Sequence, residues 1–417
     1  MRFINAFTAL FALLVVNSAL AIPTALISVE TYSGETNSKY ILPSDTVEWD
    51  LINGFTANLS NDALNSLRAS DDVVVIAEDG FRIVKEAPED DHSATSVDAG
   101  PPDIVKSDIY FVQRDAPWGL ERISQTAPVS GRSHDRPNFK YSWDESHAGL
   151  GVDIFIIDAG IWKEHSDFKG RYRFGVNTYQ ANMENTAGVV TGTYTGSTAA
   201  GDRWGVAKKA NVVNVIAFHN DARDTRHGTL SQMISALEWV AQEAKKTKRP
   251  SVAHIHTTRG SGYGPSTPLD NAAASLVETG VHVVVGAGDE DTEIEASSYP
   301  SPARVGTVIT VGTIDINDAR TSLSNFGPAV TLYAPGAGVQ CADYPQGWGG
   351  YDPYGYTQRS GTSQASAHVA GIIAYLISRD GNVAPTVMKE KLVKLAVKDI
   401  LRVPDGTANL LAQLGPL

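Results

Sequence analysis

The run Val152-Asp153-Ile154-Phe155-Ile156-Ile157-Asp158-Ala159-Gly160-Ile161 is a short apolar stretch that ends on a carboxylate and a glycine. Such a run reads as a strand, and comparable runs stand at Val212 to Ile216, Val281 to Val285 and Val308 to Val311. Between them lie segments of helical period, such as Gln232 to Ala244. Apolar strands alternating with helices predict an α/β fold, a mostly parallel sheet with helices on both faces. Asp158, at the end of its strand, suits either a turn or helix cap or a chemical role, and the residue alone leaves both open.

The chain has 417 residues, which at about 150 residues per domain predicts two or three domains and a large core. Hydrophobic residues make up 42% and charged residues 19%, a globular composition that excludes collagen, coiled coil and wholesale disorder. Acidic residues number 47 against 34 basic ones, a net charge of −13 that argues against nucleic acid as a partner. Residues 1–21 read as a secretory signal: Arg2 is basic, Phe7 to Val16 is nearly all apolar, and Ala19-Leu20-Ala21 is a small-x-small cleavage site. The expected protein is therefore extracellular, with no later segment long enough to span a membrane. Cys341 is the one cysteine, so no internal disulfide is available and stability must come from the core.

Residues 22–85 have the texture of a small α+β unit, with strands expected at Tyr40-Ile41 and Val73 to Ile76 and a helix carrying Leu64 and Leu67. Residues 86–107 hold Glu89-Asp90-Asp91 and Pro101-Pro102 and read as an acidic, proline-containing linker. Residues 108–417 form the large domain. Asn58-Leu59-Ser60 is a glycosylation sequon, with Asn58 the acceptor.

The sharpest chemical signal is Ser360-Gly361-Thr362-Ser363-Gln364-Ala365-Ser366-Ala367-His368-Val369-Ala370-Gly371, which runs into the apolar Ile372 to Ile377. A serine among small neighbours at the start of a buried helix has free N–H groups and the positive dipole end beside its hydroxyl, which suits an acyl-transfer nucleophile. An ordinary helix cap reads the same way.

At these residues the chain resembles the subtilisin-like serine proteases, in their proteinase K-like branch, whose serine motif is G-T-S-M-A-x-P-H-V-A-G. Gly361 to Gly371 matches it except at Gln364 and Ala367. Ala116-Pro117-Trp118-Gly119-Leu120, Gly205 to Ala210, Ser324-Asn325-Phe326-Gly327 and Ala334-Pro335-Gly336 match further family segments in the right order. The resemblance implies a three-layer subtilisin-like fold with a mostly parallel central sheet, preceded by a small α+β propeptide-like domain. Gly54 to Gly80 is similar to the family's inhibitor-type propeptide, shortened at its first helix. The resemblance further implies Asp158 and Ser363 as catalytic residues, serine endopeptidase chemistry and an extended peptide or protein as ligand. It also implies the chain's own pro-region as a partner, and a monomer.

Several positions depart from the pattern. The family's H-G-T-H segment falls on Thr186-Ala187-Gly188-Val189, so Thr186 stands at the place of the general base, and a hydroxyl cannot accept a proton near neutral pH. The oxyanion asparagine falls on Asp289, acceptor-only when ionised and able to donate when protonated. The substrate strand reads His254-Ile255-His256-Thr257-Thr258, so His254, His256, Thr257 and Thr258 are the expected peptide-binding positions, with altered pairing. His227, in Arg226-His227-Gly228-Thr229, imitates the lost histidine motif but aligns elsewhere. This chemistry requires no cofactor. A structural calcium of the branch's kind would lack a ligand at Thr331, and the acidic run Asp289-Glu290-Asp291 with Glu293 and Glu295 reads as a solvated loop. The expectation is a catalytically impaired secreted endopeptidase. Its alternatives are an acid-dependent enzyme using a carboxylate such as Glu184, and a peptide-binding decoy.

Overall fold

The structure is a computed structural model that describes residues 47–415, together with strands at 2–3, 24–29 and 41–42. Outside the description lie 71–72, 80, 85–96, 99–101, 107–109, 130, 180–182, 185–190, 221–225, 257–264, 296–299, 345–351 and 416–417. The central strands are β1 (Asp153–Asp158), β2 (Tyr172–Asn177), β3 (Asn211–Ile216), β4 (Ser251–Ile255) and β5 (His282–Gly286). They continue with β6 (Ile309–Ile314), β7 (Leu332–Pro335), β8 (Val397–Lys398) and β9 (Leu410–Leu411). These form one nine-stranded sheet in the order β2-β3-β1-β4-β5-β6-β7-β9-β8. Every neighbouring pair is parallel except the edge pair β8–β9.

The side-chain period of two sorts each strand between two cores. Phe155 and Ile157 of β1, Val213 and Val215 of β3, Ala253 and Ile255 of β4, and Val283 and Val285 of β5 share one cluster. Against it pack α2 (Leu230–Thr247) and α3 (Thr267–Glu278), through Ile234, Leu237, Leu269 and Leu276. Ile154, Ile156, Val212, Val252 and Val284 point the other way. There they meet α1 (Gly192–Ala200) and α4 (Thr362–Asp380), with α5 (Pro385–Leu395) at the edge. The result is the three-layer α/β architecture expected from the alternation of runs.

Local signals set the helix ends. Thr229 and Gln232 form a reciprocal capping box at α2, and Pro268 sits in the first turn of α3. Helix α4 is buried nearly all round, because its small and apolar residues let it lie between the sheet and α1. The two approach closely at Gly371, where a Cβ would stand 2.5 Å from the Ala199 carbonyl and 2.6 Å from Val206 Cβ.

The N-terminal unit is a four-stranded antiparallel sheet ordered Val47–Trp49, Gly54–Asn58, Thr24–Val29, Val73–Glu78, with a helix at Asn61–Arg68 capped by Ser60. Leu64 and Leu67 are buried, as their spacing predicts, whereas three of the four strands lay outside the sequence reading. The unit sits on α2. Trp49 Nε1 donates to Ser235 Oγ at 2.8 Å, Leu51 N–H to Glu238 at 2.7 Å, and Asp79 accepts from the Ser231 N–H at 2.9 Å and its hydroxyl at 2.5 Å. The segment read as a linker contributes two short strands, Val97–Asp98 paired with Gly355–Arg359 and Ile104–Lys106 paired with Phe111–Ala116. Ladder hydrogen bonds need no apolar side chains, so a polar composition does not prevent them. Among the described residues no helix is long and apolar enough to cross a membrane.

A methyl group at Gly371 has backbone on one side and a packed valine on the other. Gly371→Ala is expected to lower the unfolding free energy by about 1–3 kcal/mol, seen as a lower urea midpoint. An unchanged midpoint would show that the α1–α4 crossing can spread.

Candidate active site

Asp158 is the last residue of β1 and is fully buried. A buried carboxylate needs donors, and they come from the turn after its own strand and from the start of α1. Oδ1 accepts from the Ala159 N–H at 2.7 Å and from the Thr191 hydroxyl, just before α1, at 2.6 Å. Oδ2 lies 3.4 Å from the Thr195 hydroxyl and 3.2 Å from Nδ1 of His256.

His256 arrives there through sheet register. β1 and β4 are parallel neighbours with Ile157 opposite Ile255, so the next residues, Asp158 and His256, leave the sheet side by side. The His256 N–H donates to the Ile157 carbonyl at 3.2 Å and fixes that position. His254, two residues earlier, points to the same face and is fully buried. Its Nε2 lies 2.9 Å from Ser366 Oγ and 3.2 Å from the Ser363 carbonyl. The family resemblance implies both histidines as peptide-binding positions. The structure turns His254 inward under the serine helix and His256 toward Asp158. The signal that would have found the second contact is the parity of two strand ends, legible only once the strands are known to be neighbours.

Ser363 is the second residue of α4 and is partly exposed; its Oγ forms no hydrogen bond among the described residues. The helix starts from Gly361 at φ 139°, a backbone state that favours glycine, and glycine offers no capping side chain. Asp289 takes over the capping. Its Oδ1 accepts from the Thr362 N–H at 2.9 Å and its Oδ2 lies 3.2 Å from the Thr362 hydroxyl. Asp289 Oδ2 and Ser363 Oγ stand 3.4 and 3.5 Å from the point where a Cβ on Gly361 would lie, so the carboxylate borders the serine. Gln364, where the family motif has Met, is buried and accepts from the Thr198 hydroxyl at 2.7 Å, tying α1 to α4.

The remaining sequence candidates scatter. Thr186, Thr257 and Thr258 lie outside the described residues. His227 belongs to strand Arg226–Thr229, which pairs antiparallel with Phe81–Val84 of the N-terminal unit. Glu184 pairs with Lys163 at 2.9 Å on the surface. Thr331 is buried, and its hydroxyl accepts from the Thr310 N–H at 3.1 Å. In the acidic loop, Glu290 accepts from Asn325 at 2.7 Å and Asp291 pairs with Arg320 at 2.9 Å. Among the described residues no group of three or more His, Cys, Asp or Glu gathers to hold a metal. Cys341 is buried beside Tyr194 and Tyr344, and Asn58 is exposed at a strand end.

Comparison with known proteins agrees with this fold. A model of the Subtilase family matches residues 149–414. The subtilisin-like serine protease Pen ch 13 of Penicillium rubens is 38% identical over 313 residues, 75% of this chain and 71% of that protein. An alkaline serine protease of Corniculantispora psalliotae is 32% identical over 386 residues, 92% of this chain and 87% of that protein. Among solved structures, a cold adapted subtilisin-like serine proteinase shares the fold with a TM-score of 0.60 at 30% identity, over 73% of this chain and 99% of that one.

Burial pushes the His254 imidazole down to about 4, with neighbouring His256 adding to the fall, and burial alone pushes His368 on α4 down to about 4. Both hold a proton more weakly folded than unfolded, where the ordinary value is 6.5. Their contribution to stability is therefore complete above about pH 6.5 and is lost as pH falls toward 4, at about 1.4 kcal/mol per pH unit for each. Urea midpoints are expected to drop between pH 7 and pH 4.5; a flat profile would contradict neutral burial of the two rings.

Proposed function

Because this chain belongs to the Subtilase family, we propose that it is a secreted protein of serine endopeptidase type whose peptide hydrolysis is strongly reduced at neutral pH. The observation that carries this reading is the Asp289 carboxylate, held on Thr362 beside Ser363. Attack by Ser363 on a peptide carbonyl moves an electron pair onto the carbonyl oxygen, and that oxygen needs a donor. An ionised carboxylate accepts only and repels the developing charge. In subtilisin, loss of the corresponding donor costs about 10²–10³ in turnover. The family's base position supports the same reading, since Thr186 has no proton acceptor suited to neutral pH. In subtilisin, loss of the base costs about 2 × 10⁶ in turnover, and about 10³–10⁴ over water survives.

The rest of the chain fits this role. Residues 1–21 act as the secretory signal, and the N-terminal unit seated on α2 is the pro-region. The sequon at Asn58 places a glycan on the exposed end of a pro-region strand. The ligand is an extended peptide or protein segment, bound by a monomer without a cofactor. Asp158 orients the groups around it, and Ser363 is the residue that meets the ligand.

Asp289→Asn restores a donor while its amide oxygen still accepts from Thr362. Ser363-dependent hydrolysis of a broad fluorogenic peptide set at pH 8 is expected to rise by about 10²–10³ over wild type, with Ser363→Ala as the background. Wild-type turnover already within about 1–10³ s⁻¹, the ordinary enzyme range, together with no gain in the variant, would overturn the reading.

A further inference from the structure

Two strands that follow the N-terminal unit pair with strands of the large domain, although their surroundings in the sequence are polar and acidic. We infer that Val97–Lys106 is a permanent strap of the large domain, which stays in place when the N-terminal unit is cut away, so that the part to be shed ends upstream of Val97. The inference rests on the reading of that unit as a pro-region and says where it stops.

The strap is fastened at both ends. At its start, Val97 and Asp98 pair antiparallel with Tyr356 and Gly355. The partner strand is itself held: the Asp343 N–H donates to the Gly355 carbonyl at 3.1 Å, and His165 Nε2 lies 2.8 Å from the same oxygen. That strand, Gly355–Arg359, runs on through Ser360 and Gly361 into α4, so the strap lies on the stretch that leads to Ser363. At the far end, Ile104, Val105 and Lys106 pair with Gln113, Val112 and Phe111. Phe111–Ala116 pairs on its other side with Phe139–Trp143 and is therefore a central strand, whose outer ladder groups would lose their partners without the strap. The Arg114 N–H donates to the Asp103 carbonyl at 2.9 Å, and the Asp103 N–H donates to Asp115 Oδ1 at 3.1 Å. Asp115 Oδ2 in turn accepts from Arg203 Nη2 at 2.6 Å. Ile104 packs against the core cluster of Ile154, Ile156 and Val252.

The N-terminal unit is attached differently. Phe55, Leu64 and Leu67 are buried within it, outside both clusters of the large domain, while Trp49 and Ile52 reach the cluster at α2 and α3. On α2 the unit meets Ser231, Ser235 and Glu238, spaced four and three and so on one face of the helix. Water can satisfy these hydroxyls, the N–H and the carboxylate once the unit leaves, so the helix face it uncovers is compatible with solvent. Severing the chain between unit and strap is hydrolysis of one peptide bond by an endopeptidase. The C–N bond breaks as a hydroxyl from water joins the carbonyl carbon, and the other hydrogen of that water goes to the amine.

The test digests the full chain under native conditions with dilute thermolysin and reads the fragments by intact mass. Ser363→Ala is run beside wild type so that cuts made by the chain itself are recognised. A persistent fragment that lacks the N-terminal unit and begins at or upstream of Val97 is expected. Ile104→Asp sets a charge against the core cluster and should speed cutting within residues 97–106 by at least about tenfold, with far-UV circular dichroism unchanged. Ile104→Ser serves if the aspartate variant does not fold. Exposed Lys106→Ala should be cut within about twofold of the wild-type rate. A wild-type fragment that begins beyond Lys106, or a folded Ile104 variant cut no faster than wild type, overturns the strap and leaves the pro-region reading intact. A unit that stays joined to the large domain throughout digestion overturns both.

Discussion

A carboxylate buried at the end of β1 is the constraint around which the site is built. Asp158 has no access to water, so its oxygens must be met by protein donors. Those donors come from the turn after β1 and from the start of α1, and the end of β4 brings His256 beside Oδ2, which gathers three separate stretches of chain at one point. Each tie fixes more than the acid. The Thr191 contact sets where α1 begins, α1 meets α4 where Gly371 allows close approach, and α4 carries Ser363.

The start of α4 shows two demands on one carboxylate. Gly361 permits the turn into the helix but leaves its first N–H without a side-chain partner, and Asp289 supplies one from the neighbouring loop. Such a cap contributes about 1 kcal/mol to helix stability. The same carboxylate stands beside Ser363, and acyl transfer at any serine needs a donor for the developing oxyanion. An asparagine can accept from Thr362 and donate toward a ligand at once, whereas an ionised aspartate can only accept. Asp289 as it stands holds the start of the helix through Thr362.

The N-terminal unit adds a second layer of constraint. It places Asp79 on the N–H and hydroxyl of Ser231, in the first turn of α2, and its Phe81–Val84 strand pairs with Arg226–Thr229 just before that helix. The helix dipole and the unpaired N–H groups of a first turn favour a carboxylate there. Charge complementarity at a helix end, together with one added strand, thus seats the unit on the large domain.

The sequence by itself determined the elements whose causes are local. Val152 to Ile157 is a strand because its run is apolar and short, Gln232 to Ala244 lies within a helix because of its period and the Thr229 cap, and Ser363 starts a helix because small residues precede an apolar run. Asp158 at its strand end follows from the same reading. Tertiary structure decided the adjacencies. His256 meets Asp158 only because β4 lies beside β1 in parallel register, a pairing across about a hundred residues that no local pattern encodes. Asp289 caps α4 only because β5 delivers its loop there, and the polar stretches around Val97 and Ile104 become strands only because partners wait for their backbone groups. Propensity and periodicity act within a few residues, whereas the identity of a buried charge's partner is settled by which distant elements the core brings together.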